Sequence, residues 1–178
     1  MTMRVGPAVA VALSVLWLTG CIAVDKSKDG ETTTVDISTP FGGLAVRTGE
    51  SAGDTGLPVY PGARLAREGG DGNSKRATVA VGTPWVGVHV VAAEYQSDDT
   101  AERVVTYYRE QMGALGAVTE CRGSVDFKEG RAVCRPEPSS ARIDFLEGTE
   151  QRHRIVSITP RNGITRFALV SVQTGSTN

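Results

Sequence analysis

The stretch RIVSITPRNGITRFALVSV at residues 154–172 restricts the fold more than any other part of the sequence. Asn162 and Gly163 tolerate the positive φ angles of a two-residue type I′ turn, and alternating apolar residues flank them on both sides. This combination predicts a tight antiparallel hairpin whose register is fixed by the turn. The apolar pairs expected to face each other across the two strands are Ile158 with Phe167 and Val156 with Leu169.

Other segments show the same alternation of apolar and polar residues, which is typical of strands. Residues 76–82 and 86–95 predict an antiparallel pair, and residues 34–48 predict a separate hairpin. Further strands are expected at 117–121, 124–134 and 141–150. Within the segment 86–95, the residues that share one apolar face are Val86, Val88, Val90 and Ala92.

Residues 97–116 predict one long helix. Asp99 and Glu102 have the spacing of a capping box, and acidic residues in a first turn interact favourably with the helix dipole. Gly113 and Gly116 are expected to end the helix. The residues that fall on one apolar stripe are Ala101, Val104, Val105, Tyr108, Met112 and Leu115.

Together these elements predict an α+β fold, a twisted antiparallel sheet with one long helix packed on one face. The α+β domain is expected at residues 57–175. A small hairpin and linker precede it at 34–56, and we expect this hairpin to be an appendage. The polar, glycine-containing sequence DKSKDGETTT predicts a flexible tether over residues 21–33.

The first 20 residues have the three-part organisation of an export signal. Arg4 supplies positive charge, residues 8–18 are apolar apart from one serine, and the next two residues are small. The apolar run is about half of the roughly 20 residues that a membrane-spanning helix needs. It also lacks the polar face of a buried core helix, so residues 1–20 are expected to be a signal peptide.

The sequence LTGC at residues 18–21 resembles the lipobox of bacterial lipoproteins. In that family the cysteine thiol receives a diacylglyceryl group, the chain is cut before the cysteine, and the new amine is acylated. The resemblance implies that Cys21 is both the first residue of the mature chain and its lipid anchor. Several acyl chains on one residue hold a protein at a membrane far more firmly than one chain does. The alternative is an ordinary secreted protein with an unmodified cysteine.

Two further cysteines, Cys121 and Cys134, form an even pair in an exported chain, which predicts a disulfide bridge. Closing a loop of this length stabilises the fold by about 3 kcal/mol in the chain-entropy model. Metal binding would require additional Cys or His residues at short spacing, and the sequence has none there.

A second resemblance covers residues 57–121. The sequence YPGA at 60–63 is followed by a predicted hairpin and then by a helix with an acidic start and YYR at 107–109. This order is similar to a recurrent domain of uncharacterised bacterial envelope lipoproteins. The resemblance implies an α+β fold and a cell-envelope location, and it carries no activity and no functional residues.

Charge and composition limit the partners of the chain. The sequence has 19 basic and 20 acidic residues, a net charge of −1, so it lacks the basic footprint of a nucleic-acid-binding protein. It also offers no second, electrostatic attraction to an anionic membrane. We therefore expect a domain that is held by its lipid anchor and faces the periplasm or the exterior. Ile22 after the anchor, instead of Asp, favours the outer membrane where the cell has one.

Four arginines around the last hairpin are the candidate binding residues: Arg152, Arg154, Arg161 and Arg166. A basic patch there would suit an anionic partner. Solvation of the strands and protection of an edge against aggregation explain the same residues equally well.

Other polar residues have simpler explanations than a site. His89 is expected to be a structural histidine within a strand, and His153 a solvated strand end. Acidic residues near the start of the helix lack the spacing of a cation-binding loop, so no metal and no cofactor are expected. The aromatic residues that either line a groove or build the core are Tyr60, Trp85, Tyr107 and Phe127.

These observations favour a lipid-anchored cell-envelope protein whose domain is not an enzyme and binds a protein, a peptide or an envelope component. One alternative is a hydrolase-type enzyme with a site assembled from distant residues. The sequence lacks a nucleophile elbow, a metal motif and a histidine constellation, which argues against that alternative. A second alternative is a purely structural role in the envelope.

Overall fold

The computed structural model describes residues 23–29, 32–39, 42–49, 54–67, 76–83, 85–128, 131–149 and 151–175. The predicted signal peptide and Cys21 lie outside the described residues. This part of the chain contains eleven strands and one helix. Their bounds are β1 Ala23–Asp29, β2 Thr32–Thr39, β3 Gly42–Thr48, β4 Arg64–Leu65, β5 Arg76–Gly82, β6 Gly87–Ser97, α1 Ala101–Gly113, β7 Val118–Lys128, β8 Arg131–Pro136, β9 Ile143–Thr149, β10 Arg152–Arg161 and β11 Ile164–Gly175.

The strands pair antiparallel in the order β1-β2-β3-β5-β6-β11-β10-β9-β7-β8. The short strand β4 pairs with β6 beyond the end of β5. The two longest central strands, β6 and β11, are paired along the whole length of β6. The molecule is therefore mostly antiparallel sheet with a single helix, and the predicted α+β class agrees with it at that level.

The last hairpin has the predicted register. Asn162 and Gly163 form the turn with φ values of 50° and 82°, as a type I′ turn requires. The expected cross-strand pairs, Ile158 with Phe167 and Val156 with Leu169, are direct partners between β10 and β11. All four of those side chains are buried, so this sequence prediction is confirmed.

The helix packs against the sheet through its apolar stripe. Its buried residues are Val104, Val105, Tyr108 and Met112. The capping prediction is wrong in detail, because Thr100 is the N-cap residue and makes no side-chain capping hydrogen bond. Asp99 instead uses its carboxylate in other contacts, described below. Leu115 lies beyond the helix and is 43% exposed, so it does not extend the buried stripe.

The core lies between α1, the segment that precedes β4, and the strands β6, β9, β10 and β11. Its buried members are Leu57, Tyr60, Ala93, Tyr95, Val104, Val105, Tyr108, Met112, Phe145, Val156, Ile158, Phe167 and Leu169. Aromatic rings form its centre, where Phe167 stacks on Tyr95 with ring centroids 5.6 Å apart.

Only one of the two apolar faces of β6 is buried, the face on the core side of the sheet. The covered face presents Val91, Ala93 and Tyr95, all of them buried. Val88, Val90 and Ala92 share a face as the alternation predicts, but they point away from the core. Alternation along one strand groups the residues correctly, but which face is covered depends on where α1 packs.

The N-terminal region differs from the predicted tether and appendage. Residues 23–29 form β1, and β2 begins at Thr32, so most of the segment expected to be flexible is an edge hairpin. Polar side chains do not prevent this, because β1 pairs with β2 through backbone hydrogen bonds and needs no core. β3 then pairs with β5, which joins the predicted 34–48 hairpin to the main sheet.

Cys121 in β7 and Cys134 in β8 lie at disulfide-bonding distance, with their Cα atoms 5.5 Å apart. β7 pairs with β9 over its first half and with β8 over its second half. A bridge between them would connect the edge strand β8 to the first half of β7, the half that pairs with β9. This geometry is consistent with the predicted disulfide.

Candidate binding surface

The face of the sheet away from α1, which we call the open face, carries a continuous band of apolar side chains. Two adjacent rows of directly paired residues form this band. The first row, from β1 to β6, consists of Val24, Ile37, Leu44, Val81 and Val88. The second row, from β2 to β11, consists of Val35, Val46, Val79, Val90 and Val172.

Three members of the first row are exposed: Val24 at 63%, Val81 at 50% and Val88 at 38%. The other members of the band are partly buried. Single exposed apolar residues are ordinary, but a contiguous group on one face is typical of an interaction surface. The open face is therefore the strongest candidate for binding in the described part of the chain.

A shallow depression of about 870 Å³ lies at the end of the sheet where β5 turns into β6. Three glycines that pair across β3, β5 and β6, namely Gly43, Gly82 and Gly87, contribute to its lining. Ligand-binding clefts have volumes of about 300–1,000 Å³, and few polar groups orient the ligand in them. The titratable residues of this lining are Asp36 and His89.

The four candidate arginines do not form one basic patch. Arg152 and Arg161 mark the two ends of β10, a strand of 10 residues that spans about 30 Å. Arg154 pairs with Glu147 at 2.9 Å, and Arg166 pairs with Glu94 at 3.3 Å. Arg152 and Arg161 are close in sequence, but the extended strand between them places them far apart, so the predicted single patch does not form.

The acidic residues near the helix start have basic or hydroxyl partners. Asp98 accepts two hydrogen bonds from Arg64, both at 2.9 Å. Asp99 accepts one from Arg103 at 2.6 Å and one from the Tyr60 hydroxyl at 2.7 Å. Among the described residues, no group of three or more His, Cys, Asp or Glu side chains has a metal-binding arrangement.

The two histidines lie in different environments from those expected. His89 is exposed on β6 instead of being packed as a structural histidine. His153 is 7% exposed, and it lies on β10, an inner strand between β9 and β11. The interpretation of His153 as a solvated strand end is therefore wrong.

The structure brings only part of the aromatic set together. Tyr60 and Tyr107 are in edge-to-face contact, with ring centroids 5.2 Å apart, and they border a notch of about 640 Å³ beside α1. The hydrogen bond to Asp99, together with burial, raises the pKa of Tyr60 above its usual value. Trp85 lies in the β5–β6 turn and is 76% exposed, so it is not part of this tyrosine pair, and the side chain of Phe127 lies outside what the structure describes.

The open face could not be recognised from the sequence. Its residues come from six strands, and they become neighbours only through the register of the sheet. The available signal was that β6 carries apolar residues on both faces, although only one of these faces is buried.

Comparisons with protein families, curated proteins and solved structures find no match to the chain. None of the helical residues in the described part forms a stretch of the length and apolarity required to cross a bilayer. The arrangement of the described residues thus offers an exposed apolar sheet face and a shallow adjoining depression as its candidate site.

Proposed function

We propose that the chain is a lipid-anchored protein of the bacterial cell envelope, and that its domain is a non-enzymatic module that binds a protein or peptide partner. The observation that carries the binding part is the apolar band of the open face. A sheet face of this kind recognises a partner by burial of apolar surface, which is the dominant favourable contribution in most protein association.

The anchor part is supported by the export signal and the LTGC sequence at residues 18–21. Cys21 precedes the first residue of β1, Ala23, by only two positions. In this proposal, only one residue, Ile22, separates the acylated Cys21 from the first strand of the sheet. Ile22 favours delivery to the outer membrane where the cell has one.

The two ion-paired arginines support a non-electrostatic mode of binding. Arg154 and Arg166 use their guanidinium groups on Glu147 and Glu94, and both pairs are partly buried. The middle of the open face consists of Val46, Val79 and Val90. A partner bound there contacts apolar side chains and not a cluster of unpaired arginines.

Fractionation of cells that express the Cys21→Ser variant tests the anchor. The wild-type protein is expected in the membrane fraction, and the variant is expected to lose that association. A Cys21→Ser protein that is exported and stays in the membrane fraction would refute the lipid anchor.

Photo-crosslinking in intact cells tests the binding part. A crosslinking residue at Val46 or Val79 on the open face is expected to capture the same partner from both positions. The matched control is Thr106, which is exposed on the outer side of α1. Capture that is equally strong at Thr106, or absent at both open-face positions, contradicts the proposed binding surface.

A further inference from the structure

One end of the sheet collects three features that are far apart in the sequence. The direct pairings align Ala23 of β1, Ser38 of β2, Gly43 of β3, Gly82 of β5 and Gly87 of β6 in a single row. Gly175 at the end of β11 continues the same row. The start of β1, the β5–β6 turn and the end of β11 therefore lie at one end of the molecule, which we call the anchor end.

The anchor end carries no charged residue in the row just described or in the next row inward. The second row inward is the one with Val24, Ile37, Leu44, Val81 and Val88, which ends at Thr174 on β11. Beyond the first row, Trp85 and Val86 project from the β5–β6 turn and are 76% and 59% exposed. Charged residues begin in the third row, with Asp25 and Asp36.

The turn that holds Trp85 is ordered by Thr83. The Thr83 hydroxyl accepts hydrogen bonds from the backbone N–H groups of Trp85 at 3.3 Å and Val86 at 3.1 Å. The Thr83 backbone N–H donates to the carbonyl of Val86 at 2.8 Å. These hydrogen bonds fix the backbone at Trp85 and Val86 relative to Thr83, so the indole projects from a hydrogen-bonded turn.

The opposite end of β6 has the contrary character. Asp98 and Asp99 follow Ser97 there, and they form salt bridges with Arg64 and Arg103. β6 has 11 residues, so the two ends are separated by about 34 Å along the strand. Along β6 the sheet therefore changes from an uncharged end, with exposed Trp85 and Val86, to a charged end where α1 begins.

The chain that precedes β1 leaves from the anchor end. Cys21 is two residues before Ala23, a reach of roughly 7 Å at most. β1 and β6 are four strand spacings apart, or about 20 Å. If Cys21 is acylated, the Trp85 turn therefore lies within about 30 Å of the point where the acyl chains enter the bilayer, and at the same end of the sheet.

We propose that the anchor end lies on the lipid bilayer, with Trp85 and Val86 in the interfacial region and the strands directed away from the membrane. This inference rests on the proposed lipid anchor at Cys21. Two rows correspond to a depth of about 7 Å, which matches the depth to which interfacial segments insert their apolar faces. Tryptophan favours that region because its ring is apolar while its N–H can reach water and headgroups. Of the open face, the row with Val81 and Val88 then lies in the interfacial region, and the row with Val46, Val79 and Val90 stands above the membrane surface.

The sequence supplies its own probe for this geometry. Trp17 and Trp85 are the two tryptophans, and Trp17 lies in the predicted signal peptide, so the mature chain contains Trp85 alone. The experiment places the mature protein, extracted from membranes, in vesicles of phosphatidylethanolamine and phosphatidylglycerol that carry bromine on their acyl chains. Brominated chains are expected to quench Trp85, and a water-soluble quencher is expected to lose most of its effect when vesicles are added.

Two variants at matched exposed valines test the position of the contact. Val86→Asp places a carboxylate beside Trp85 and is expected to abolish most of the quenching by brominated lipid, while the anchor keeps the protein on the vesicles. Val59→Asp is the control. Val59 is also exposed, at 41%, but it is next to Tyr60 on the side of the molecule that packs on α1, away from Trp85, so quenching is expected to stay as in the wild type.

The outcomes separate this inference from the anchor on which it rests. Protein that is vesicle-bound while Trp85 stays accessible from water and unquenched by lipid overturns the membrane contact and leaves the anchor standing. Mature protein that carries no lipid and stays off the vesicles overturns the anchor and the contact together. A Trp85 signal that depends on protein concentration and not on lipid assigns the surface to a second copy of the chain, which also overturns the proposal.

Discussion

The hydroxyl of Tyr108 on α1 accepts a hydrogen bond from the backbone N–H of Tyr60 at 3.1 Å, although 48 positions separate the two residues. The same hydroxyl donates to the carbonyl oxygen of Pro58, also at 3.1 Å. Tyr108 is fully buried. One side chain therefore satisfies two backbone groups of the segment before β4 and holds that segment on the helix.

Tyr108→Phe removes both hydrogen bonds and leaves the buried N–H of Tyr60 without its acceptor. An unsatisfied buried polar group costs about 1–3 kcal/mol, so we expect the free energy of unfolding to fall by that amount. Urea denaturation of the purified protein measures the change. The control is Tyr107→Phe, whose hydroxyl makes one long bond of 3.4 Å to Val59 and should change stability far less. Equal effects of the two variants would contradict this account of Tyr108.

The same two tyrosines predict how stability responds to alkaline pH. The hydrogen bond to Asp99 raises the pKa of Tyr60, and burial raises the pKa of Tyr108. A raised pKa in the folded state means that the folded protein retains its phenol protons more tightly than the unfolded chain, whose tyrosines titrate near pH 10. The stabilisation is therefore complete below about pH 10 and is lost as the pH rises towards the folded values.

Unfolding free energies measured from neutral to strongly alkaline pH should show this decline above about pH 10. Phenolate absorbance should show that some of the four tyrosines ionise only as the protein unfolds. The Tyr60→Phe variant should reduce the slope of stability against pH. A slope that is unchanged in this variant would show that Tyr60 is not among the linked groups.

The bridge between Cys121 and Cys134 should be measurable as stability. The cysteines are 13 positions apart, and a bridge that closes a loop of about 15 residues stabilises by about 3 kcal/mol in the chain-entropy model. Replacement of both cysteines by Ala is expected to lower the unfolding free energy by roughly that amount. Thiol labelling of the unfolded, unreduced protein should find neither residue free, and quantitative labelling of both would rule out the bridge.

A buried carboxylate gives a further stability prediction. Asp144 has no exposed surface, and it accepts hydrogen bonds from Nε and Nη2 of Arg142, both at 2.8 Å, and from the N–H of Val125 at 3.1 Å. This carboxylate raises the pKa of Arg142 through those hydrogen bonds. Arg142→Ala leaves the buried charge with one donor, and we expect a loss of about 1–3 kcal/mol in unfolding free energy.

The control for that variant is Arg64→Ala. Arg64 also makes a two-pronged contact with a carboxylate, but its side chain and that of Asp98 are 61% and 74% exposed. Exposed pairs contribute at most about 1 kcal/mol, so this variant should be close to wild type. A larger loss in Arg64→Ala than in Arg142→Ala would contradict the importance of burial at Asp144.

The parts of the fold that could be predicted are those with a local cause. The β10–β11 register follows from Asn162 and Gly163, because a two-residue turn leaves one way to pair the flanking strands. The helix stripe follows from the spacing of Val104, Tyr108 and Met112, because i, i+4 positions share one side of a helix.

The parts that could not be predicted depend on distant partners. β1 has no apolar alternation on which to base a prediction, and it exists because β2 offers a backbone edge. Arg152 and Arg161 lie at opposite ends of β10, so the strand keeps them apart although they are only nine positions apart in sequence. Ala23 and Gly87 lie in one row at the anchor end only because of the register of five neighbouring strands, which the sequence does not reveal.

Intact-mass and N-terminal peptide measurement of the protein extracted from cell membranes is the decisive test of the lipid anchor. We expect a mature chain that begins at Cys21, with a diacylglyceryl group on the sulfur and an acyl group on the amine. A mature chain that begins at another residue, or a Cys21 that carries no lipid, would contradict the lipid anchor and every membrane contact inferred from it.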